Sequence, residues 1–425
     1  MAPKQPTRVR HRIVAVTTLA AVLLYLDRIC LAEIAKLDEF RLELALTKED
    51  VGWVMSAFFY AYALAQVPAG WLADRFGARG MMTGYILLWS AATVLTGWVG
   101  GFASLVTARI LFGIAQAGAY PASNGLLKRW TPLGSRGRTS SIVSFGGRLG
   151  GALAPALTAW LLKDFLGWRA VLMAYGASGV FVAWIFWNVF RESPESHPAC
   201  DAAERKLIGT AEEGGAARAK GFPVRAVVTN LSLWLMCVLQ FGVNVGWVFL
   251  VSWLPTYFKE VKHIDPKIGG WMSTTVLVAG IFGMMVGGWV TDWLVQRWGL
   301  RWGRALPLIG TKIVGTVAYL SCLWLDSPWA IVVALAVVAF MTDLGIPAVW
   351  AFMQDVGGRH SAAIFGWANM WGNLGAGLTI VMVPKLLGPE GGPQNWNAVF
   401  MLCAAGYFVA GLAALGLKAD EPIEK

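Results

Sequence analysis

Gly70-Trp71-Leu72-Ala73-Asp74-Arg75-Phe76-Gly77-Ala78-Arg79-Gly80 closes one long apolar run, and Gly288-Trp289-Val290-Thr291-Asp292 closes another much later in the chain. Both read Gly-Trp-x-x-Asp, and both lead into a short basic loop. The spacing has physical sense: a glycine permits tight helix approach, the aspartate stands at a helix end, and Arg75 and Arg79 hold a polar face. Such a cluster can latch two halves of a molecule in one state and release them in another. Gly70, Asp74, Arg75, Arg79, Gly288 and Asp292 are therefore expected to form a gate on the cytoplasmic side.

Outward from these two copies, the chain is apolar almost throughout. Of its 425 residues 57% are apolar and 14% charged, with a mean hydropathy of +0.57, whereas soluble domains are roughly a quarter charged. That excludes an ordinary soluble globule, and it excludes disorder, whose signature is low hydrophobicity. The 23 Trp and 49 Gly suit a membrane protein, where Trp favours the interface and Gly allows close helix contacts. The net charge of +10 does not indicate nucleic acid, because Lys and Arg are scattered over short loops with no basic arm. The five cysteines lack a recurring spacing, so neither a disulfide framework nor a metal site is expected. Arg8 to Arg12 followed by Ile13 to Leu26 imitates a secretory signal but lacks a clean small-residue cleavage site, and reads as the first span.

Runs long enough for a hydrocarbon layer of about 30 Å, some 20 residues each, fall at 13–34, 52–73, 81–99, 103–125, 138–161, 168–190, 230–257, 269–295, 305–325, 328–352, 361–386 and 396–417. Helices satisfy their own backbone in lipid, whereas a barrel would alternate apolar and polar residues. Basic residues concentrate in alternate segments, including both ends, which orients both termini to the cytoplasm. The polar stretch 191–229, with Pro194-Glu195-Ser196-His197-Pro198 and Glu212-Glu213, reads as a surface linker that is partly helical. The expectation is an all-α integral membrane protein: a six-helix bundle at 1–190, a cytoplasmic linker at 191–229 and a pseudo-symmetric six-helix bundle at 230–425. Repeated halves of this kind build many secondary transporters.

The segment Gly70 to Gly80 resembles the loop signature between helices 2 and 3 of the major facilitator superfamily. Within it, Tyr25-Leu26-Asp27-Arg28, Arg109-Ile110-Leu111-Phe112-Gly113 through Tyr120-Pro121, Trp253-Leu254-Pro255-Thr256-Tyr257 and Asn369-Met370-Trp371-Gly372-Asn373 resemble the anion:cation symporter family. The resemblance spans nearly the whole chain. It implies transport of small organic anions such as hexuronates, aldonates or aldarates. It further implies that Asp27 takes part in proton coupling and Arg28 in binding the substrate carboxylate.

An ionised side chain at mid-bilayer costs about 2.5 to 3.5 kcal/mol, so those that occur face a cavity or a partner. At 1.5 Å per residue, Asp27 and Arg28 lie about 20 Å from the cytoplasmic end of the first span and Arg109 about 8 Å from the outer end of the fourth. These levels agree, so Asp27 and Arg109 can pair, either permanently or as a partnership exchanged for a proton. The Arg28 fork suits a bidentate carboxylate better than an ammonium would. Gln116 stands where many relatives carry Glu, and Arg148 where galactonate-type importers often have Gln. One carboxylate is lost and one guanidinium gained, which favours an anionic substrate over a cationic drug and puts the proton stoichiometry in question. Lys312 and Asp343 come from spans 9 and 10 at similar depth and look like an ion pair, with Asp343 as a second proton carrier in the alternative.

Aligned to the family, Tyr62, Gln66, Asn244, Trp350, Asn369 and Asn373 join Arg28, Arg109, Gln116 and Arg148 as substrate-binding candidates, with Asp27 and Asp343 as proton-coupling ones. Trp247, Trp367 and Trp371 can equally face lipid. The four histidines lie at loops or ends without ligand spacing, and no phosphate-binding loop occurs. Enzyme chemistry, a metal, a cofactor and ATP-driven pumping are therefore not expected. The function read from the sequence is a monomeric secondary carrier of small organic anions in the inner membrane, working by alternating access with proton symport. A uniporter, an exchanger or a drug-efflux carrier remain the alternatives.

Overall fold

The structure, a computed structural model, describes residues 6–164, 166–209, 221–388 and 393–423, and among them every regular element is helical. In chain order these are α1 (Val9–Ile34), α2 (Asp38–Glu43), α3 (Lys48–Phe76), α4 (Ala78–Thr96), α5 (Phe102–Ala117), α6 (Ala119–Trp130), α7 (Arg136–Asp164) and α8 (Trp168–Val189). There follow α9 (Ala202–Ile208), α10 (Val224–Thr229), α11 (Leu231–Val248), α12 (Leu254–Glu260), α13 (Pro266–Ser321), α14 (Pro328–Val356), α15 (Ser361–Leu387) and α16 (Pro393–Leu415).

Among the described residues, eight stretches are long and apolar enough to cross a membrane. One of them, α13, has 56 residues, about 84 Å at the helical rise and so far more than one crossing needs. It covers the span expected at 269–295 and most of the one expected at 305–325, and Gly299 separates the two by turning the backbone at φ 76°. Such a φ is open to glycine at little cost. Helices α3, α4 and α7 are also long enough, with 29, 19 and 29 residues, but carry more polar side chains than a lipid-facing helix needs. Together these account for the twelve expected spans.

Two of those spans are less uniform than the apolar pattern implies. The span at 103–125 is two helices, α5 and α6, meeting at Gly118. A Cβ there would lie 2.1 Å from the Tyr85 ring, so the glycine leaves room for α4 at the junction. The span at 230–257 contains one widened turn, Phe249–Trp253, between α11 and α12. It is packed edge-on against Phe400, with ring centroids 5.2 Å apart.

Contacts group the chain into two compact units. The first comprises Met1–Leu133, Ile142–Phe222 and Gly357–Gly366, and the second Gly134–Ser141, Pro223–Val356 and Trp367–Lys425. In the first, α3 packs on α5, α4 on α8 and on α5, and α1 on α8; in the second, α13 packs on α14 and on α16, and α11 on α16. Trp53, Trp98, Trp184, Trp271, Trp289 and Trp324 are exposed apolar surface, suited to a lipid boundary. Trp367 and Trp371 instead pack with Trp234, each centroid 5.5 Å from its ring. All five cysteines are buried and unpaired.

The linker is partly helical through α9 and α10, while Glu212-Glu213 lies outside the described residues. Glu204 of α9, fully buried, accepts the α1 amides of Val9 at 3.0 Å and Arg10 at 3.1 Å, the Thr7 hydroxyl at 2.6 Å and the Arg10 guanidinium at 2.8 Å. A carboxylate over free amides and the positive end of a helix is favourable on both counts. Nothing in the composition of the linker singles out Glu204 for this.

Candidate functional site

The membrane-embedded charges of the first unit gather around α1. Gly113 of α5 lets α3 approach until a Cβ at that position would lie 2.7 Å from the Phe58 carbonyl. This sets Phe58 between two guanidinium groups: Arg28 lies 5.1 Å and Arg109 4.7 Å from its ring centroid. Arg28 also lies 4.8 Å from the Tyr25 ring and 4.6 Å from the Tyr62 ring, and Arg109 lies 4.8 Å from Phe112. Such contacts are worth about 1–2 kcal/mol each when shielded from water, so they hold a cation without cancelling its charge.

Polar contacts with Gln116 and with the Tyr62 hydroxyl fix Arg28. Its Nε donates to Gln116 Oε1 at 3.0 Å, and Gln116 Nε2 donates to the Leu24 carbonyl at 2.9 Å. The Arg28 Nη2 and the Arg109 Nε are buried with no hydrogen-bond partner. On α7, Gly150 lies so close to α1 that a Cβ would be 2.3 Å from the Val22 carbonyl. Half-buried Arg148, two residues earlier, acts on Tyr120, as does Arg28.

Asp27 departs from the expectation. It is 1% exposed, and neither carboxylate oxygen has a hydrogen-bond partner. The pairing with Arg109 allowed by their matching depths does not form, because the Arg109 guanidinium is taken up between Phe58 and Phe112. Beside Asp27 stands the Trp89 indole, also fully buried, whose N–H is unpaired too.

In the second unit the candidates are packed less tightly around charge. Asn244 donates to the Gln240 carbonyl at 2.8 Å and Asn373 to the Asn369 carbonyl at 2.7 Å, so both amides spend a donor on their own helices. Asn244 also reaches α15, where a Cβ on Gly372 would lie 2.8 Å from its Nδ2. Trp350, Lys312 and Asp343 are buried. Lys312 lies 5.6 Å from the Tyr407 ring centroid, and the Asp343 carboxylate acts on it. That carboxylate also sits over Gly280, 2.8 Å from where a Cβ would be.

The two Gly-Trp-x-x-Asp copies do the same thing at two places. Asp74 accepts the first amides of α15, Ala362 at 3.2 Å and Ala363 at 2.8 Å, within the first unit. Asp292 accepts the first amides of α7, Gly137 at 2.8 Å and Arg138 at 2.9 Å, within the second. The glycines do what their spacing implies: a Cβ on Gly70 would lie 2.6 Å from the Ala362 carbonyl, and one on Gly288 2.6 Å from Ser141 Cβ. Arg75 is exposed, whereas Arg79 donates to the Trp187 carbonyl at 2.7 Å over that indole ring. The residue that caps α4 is Glu192, which accepts the amides of Ala78 at 3.1 Å and Arg79 at 2.7 Å and pairs with Arg129 at 2.9 Å.

Sequence reasoning named Gln66, which is fully buried beside Gly366, a Cβ there lying 2.5 Å from the Gln66 carbonyl. It missed Phe58. The signal was available, because Phe58, Tyr62 and Gln66 recur every four residues and so share a face of α3.

Described elements that are all helical, long apolar spans and cations buried among rings suit a multi-pass membrane protein. The sequence model described as Major Facilitator Superfamily matches residues 17–380, and the chain belongs to that superfamily of transporters. Among curated relatives, the "Probable sulfoacetate transporter SauU" of Cupriavidus necator is 30% identical, over 99% of this chain and 98% of that one. The "Probable galactarate/D-glucarate transporter GudP" of Escherichia coli is 26% identical over 97% and 94%. The "D-galactonate transporter" of Escherichia coli is 27% identical over 89% of each. Among solved structures, the proton:xylose symporter XylE matches with a TM-score of 0.75 at 15% identity, covering 95% of this chain and 94% of that one. At that identity the likeness speaks for the fold alone.

Proposed function

We propose that this transporter carries a small organic anion, a sugar acid or a similarly compact carboxylate or sulfonate, together with a proton across the inner membrane, with both termini in the cytoplasm. The observation that carries the reading is Arg28: a buried fork with an unpaired Nη2, set among aromatic rings and, among the described residues, paired with no carboxylate. A buried charge left uncompensated is costly, and an incoming anion supplies the missing partner with bidentate geometry. Arg109 adds positive potential beside Arg28 on the same unit, which disfavours a lipophilic cation. The names of the relatives, which include a sulfonate and several sugar acids, support the same class.

Asp27 is the proton carrier in this reading. A carboxylate sealed from water without a donor is best accommodated as the neutral acid. Opening its surroundings to water and to Arg109 would favour release, which couples the proton to the change of state. Tyr62, Gln66, Asn244, Trp350, Asn369 and Asn373 contribute hydroxyl-binding and stacking surface, while Asp343 stands as a further acid. The Asp74 and Asp292 caps close the cytoplasmic side in one state.

Uptake into proteoliposomes tests this with sulfoacetate, D-glucarate, D-galactonate and a lipophilic cation, with and without an inward proton gradient. The expected result is gradient-stimulated uptake of at least one anion, lost in Arg28→Ala, and none of the cation. An anion flux indifferent to the gradient would replace symport by uniport or exchange. Cation flux surviving Arg28→Ala would overturn the anion reading.

A further inference from the structure

We propose that Gln116 is a positioning residue that keeps Arg28 an unneutralised cation, and thereby sets the negative charge a substrate must bring. The inference rests on the anion-carrier reading above and adds to it the residue that fixes the charge balance.

The Gln116 carboxamide is fully buried, and both of its ends are committed. Its oxygen faces the Arg28 Nε–H at 3.0 Å, and its nitrogen faces the Leu24 carbonyl at 2.9 Å. Leu24 and Arg28 are one turn apart on α1, so the amide spans that turn as a bracket, and its orientation is set because one partner must donate and the other accept. A carboxylate at the same place would accept from Arg28 but would face the Leu24 carbonyl oxygen with a second oxygen. It would also neutralise the guanidinium from within the protein. The amide does neither.

The other groups that face Arg28 leave the charge standing. Tyr25 of α1, Tyr62 of α3 and Tyr120 of α6 are phenols, and Arg109 of α5 is itself a cation. Arg148 of α7 acts on the same Tyr120. Asp27, the adjacent residue on α1, projects about 100° around the helix and makes no contact with the guanidinium. The fork is thus held by its Nε edge, by the neutral Tyr62 hydroxyl and by ring faces, with Nη2 unpaired, and the missing countercharge is left to the ligand.

The test compares wild type, Gln116→Glu and Gln116→Leu as purified full-length protein. Melting is followed between about pH 3.5 and 8 with and without titrated sulfoacetate or D-glucarate. Values are read relative to wild type at each pH, so that titration of Asp27, common to all three, cancels. A carboxylate introduced at position 116 and paired with Arg28 stays ionised down to and below its ordinary value of about 4.3. Without anion, Gln116→Glu is therefore expected to melt higher relative to wild type at pH 8 than below about pH 4, where the acid is protonated. With anion, its affinity should be at least tenfold weaker than wild type at pH 8 and recover only below about pH 4. Gln116→Leu should bind at least tenfold more weakly at every pH with no recovery in acid, the pattern of a lost bracket.

Wild-type affinity in Gln116→Glu at pH 8, or ligand-free melting with no pH-dependent difference from wild type, would overturn the proposal. If wild type binds neither anion, the substrate reading fails, and the ligand-free melts still decide the bracket. If Gln116→Glu does not fold, unchanged anion affinity in Gln116→Leu would overturn the proposal by itself.

Discussion

Asp27 and the repeated aspartates Asp74 and Asp292 are all buried to within 2% exposure, but in opposite ways. Each repeated aspartate accepts two backbone amides at the start of a helix, so its oxygens are met by donors where they sit. Asp27 accepts none. Burial with donors makes a carboxylate part of the framework, whereas burial without them makes it a group whose protonation state can change with its surroundings. The same residue type is therefore met by backbone donors in one place and left without them in the other, which is the contrast on which the proposed roles of latch and proton site rest.

The two latches also differ from each other, and the largest expected effect lies in that difference. Asp292 has the Arg138 guanidinium at 3.2 Å and fully buried Arg304 at 3.8 Å, and Arg304 continues to Asp355 at 2.7 Å, which also pairs with Arg136. Asp292→Ala removes a cap and leaves buried Arg304 short of an acid, a loss of about 3 kcal/mol. Asp74→Ala removes the cap of α15 without opening such a network, a loss of about 1–2 kcal/mol. Melting of the two purified variants measures both. Equal losses would mean that the charges around Asp292 contribute nothing beyond its amides.

Asp27→Asn carries the comparison across to the membrane. Because an amide resembles a protonated acid in size and charge, melting should stay within about 0.5 kcal/mol of wild type, unlike the loss at either latch. Transport should nevertheless change in kind, with anion exchange retained and gradient-driven accumulation lost. A destabilisation matching that of Asp74→Ala would show that Asp27 is held as an ion by the fold.

Much of this was legible in the sequence because the membrane makes its demands in one dimension. Apolar run length marks the helices, and the Gly-Trp-x-x-Asp repeat marks where two of them meet another helix end. What the helical rise could not give was azimuth. It put Asp27 and Arg109 at one level, but the ring faces of Phe58 and Phe112 decided where the Arg109 guanidinium went. Likewise depth linked Lys312 with Asp343, whose carboxylate acts on it, but gave no sign of the Tyr407 ring over which Lys312 lies. The Gln116 bracket was out of reach for the same reason: sequence reports the loss of a carboxylate at 116, whereas only packing reports that its amide spans one turn of α1.

The smallest expected effect concerns Glu204, a cap that is buried like the latches but lies in the linker. Burial pushes its carboxyl upward, but the Thr7 hydroxyl, the amides of Arg10 and Val9 and the Arg10 guanidinium together outweigh that and hold it below its usual 4.5. A carboxyl lowered in the folded state contributes stability that is fully present above its unfolded value and is lost as pH falls through the folded one. Glu204→Gln should therefore melt slightly below wild type at neutral pH, by a few tenths to about 1 kcal/mol. The two proteins should converge as the solution is taken below about pH 4. A difference that stays constant into acid would assign the contribution to the shape of the side chain, and Glu204 would then not act on α1 as the repeated aspartates act on α7 and α15.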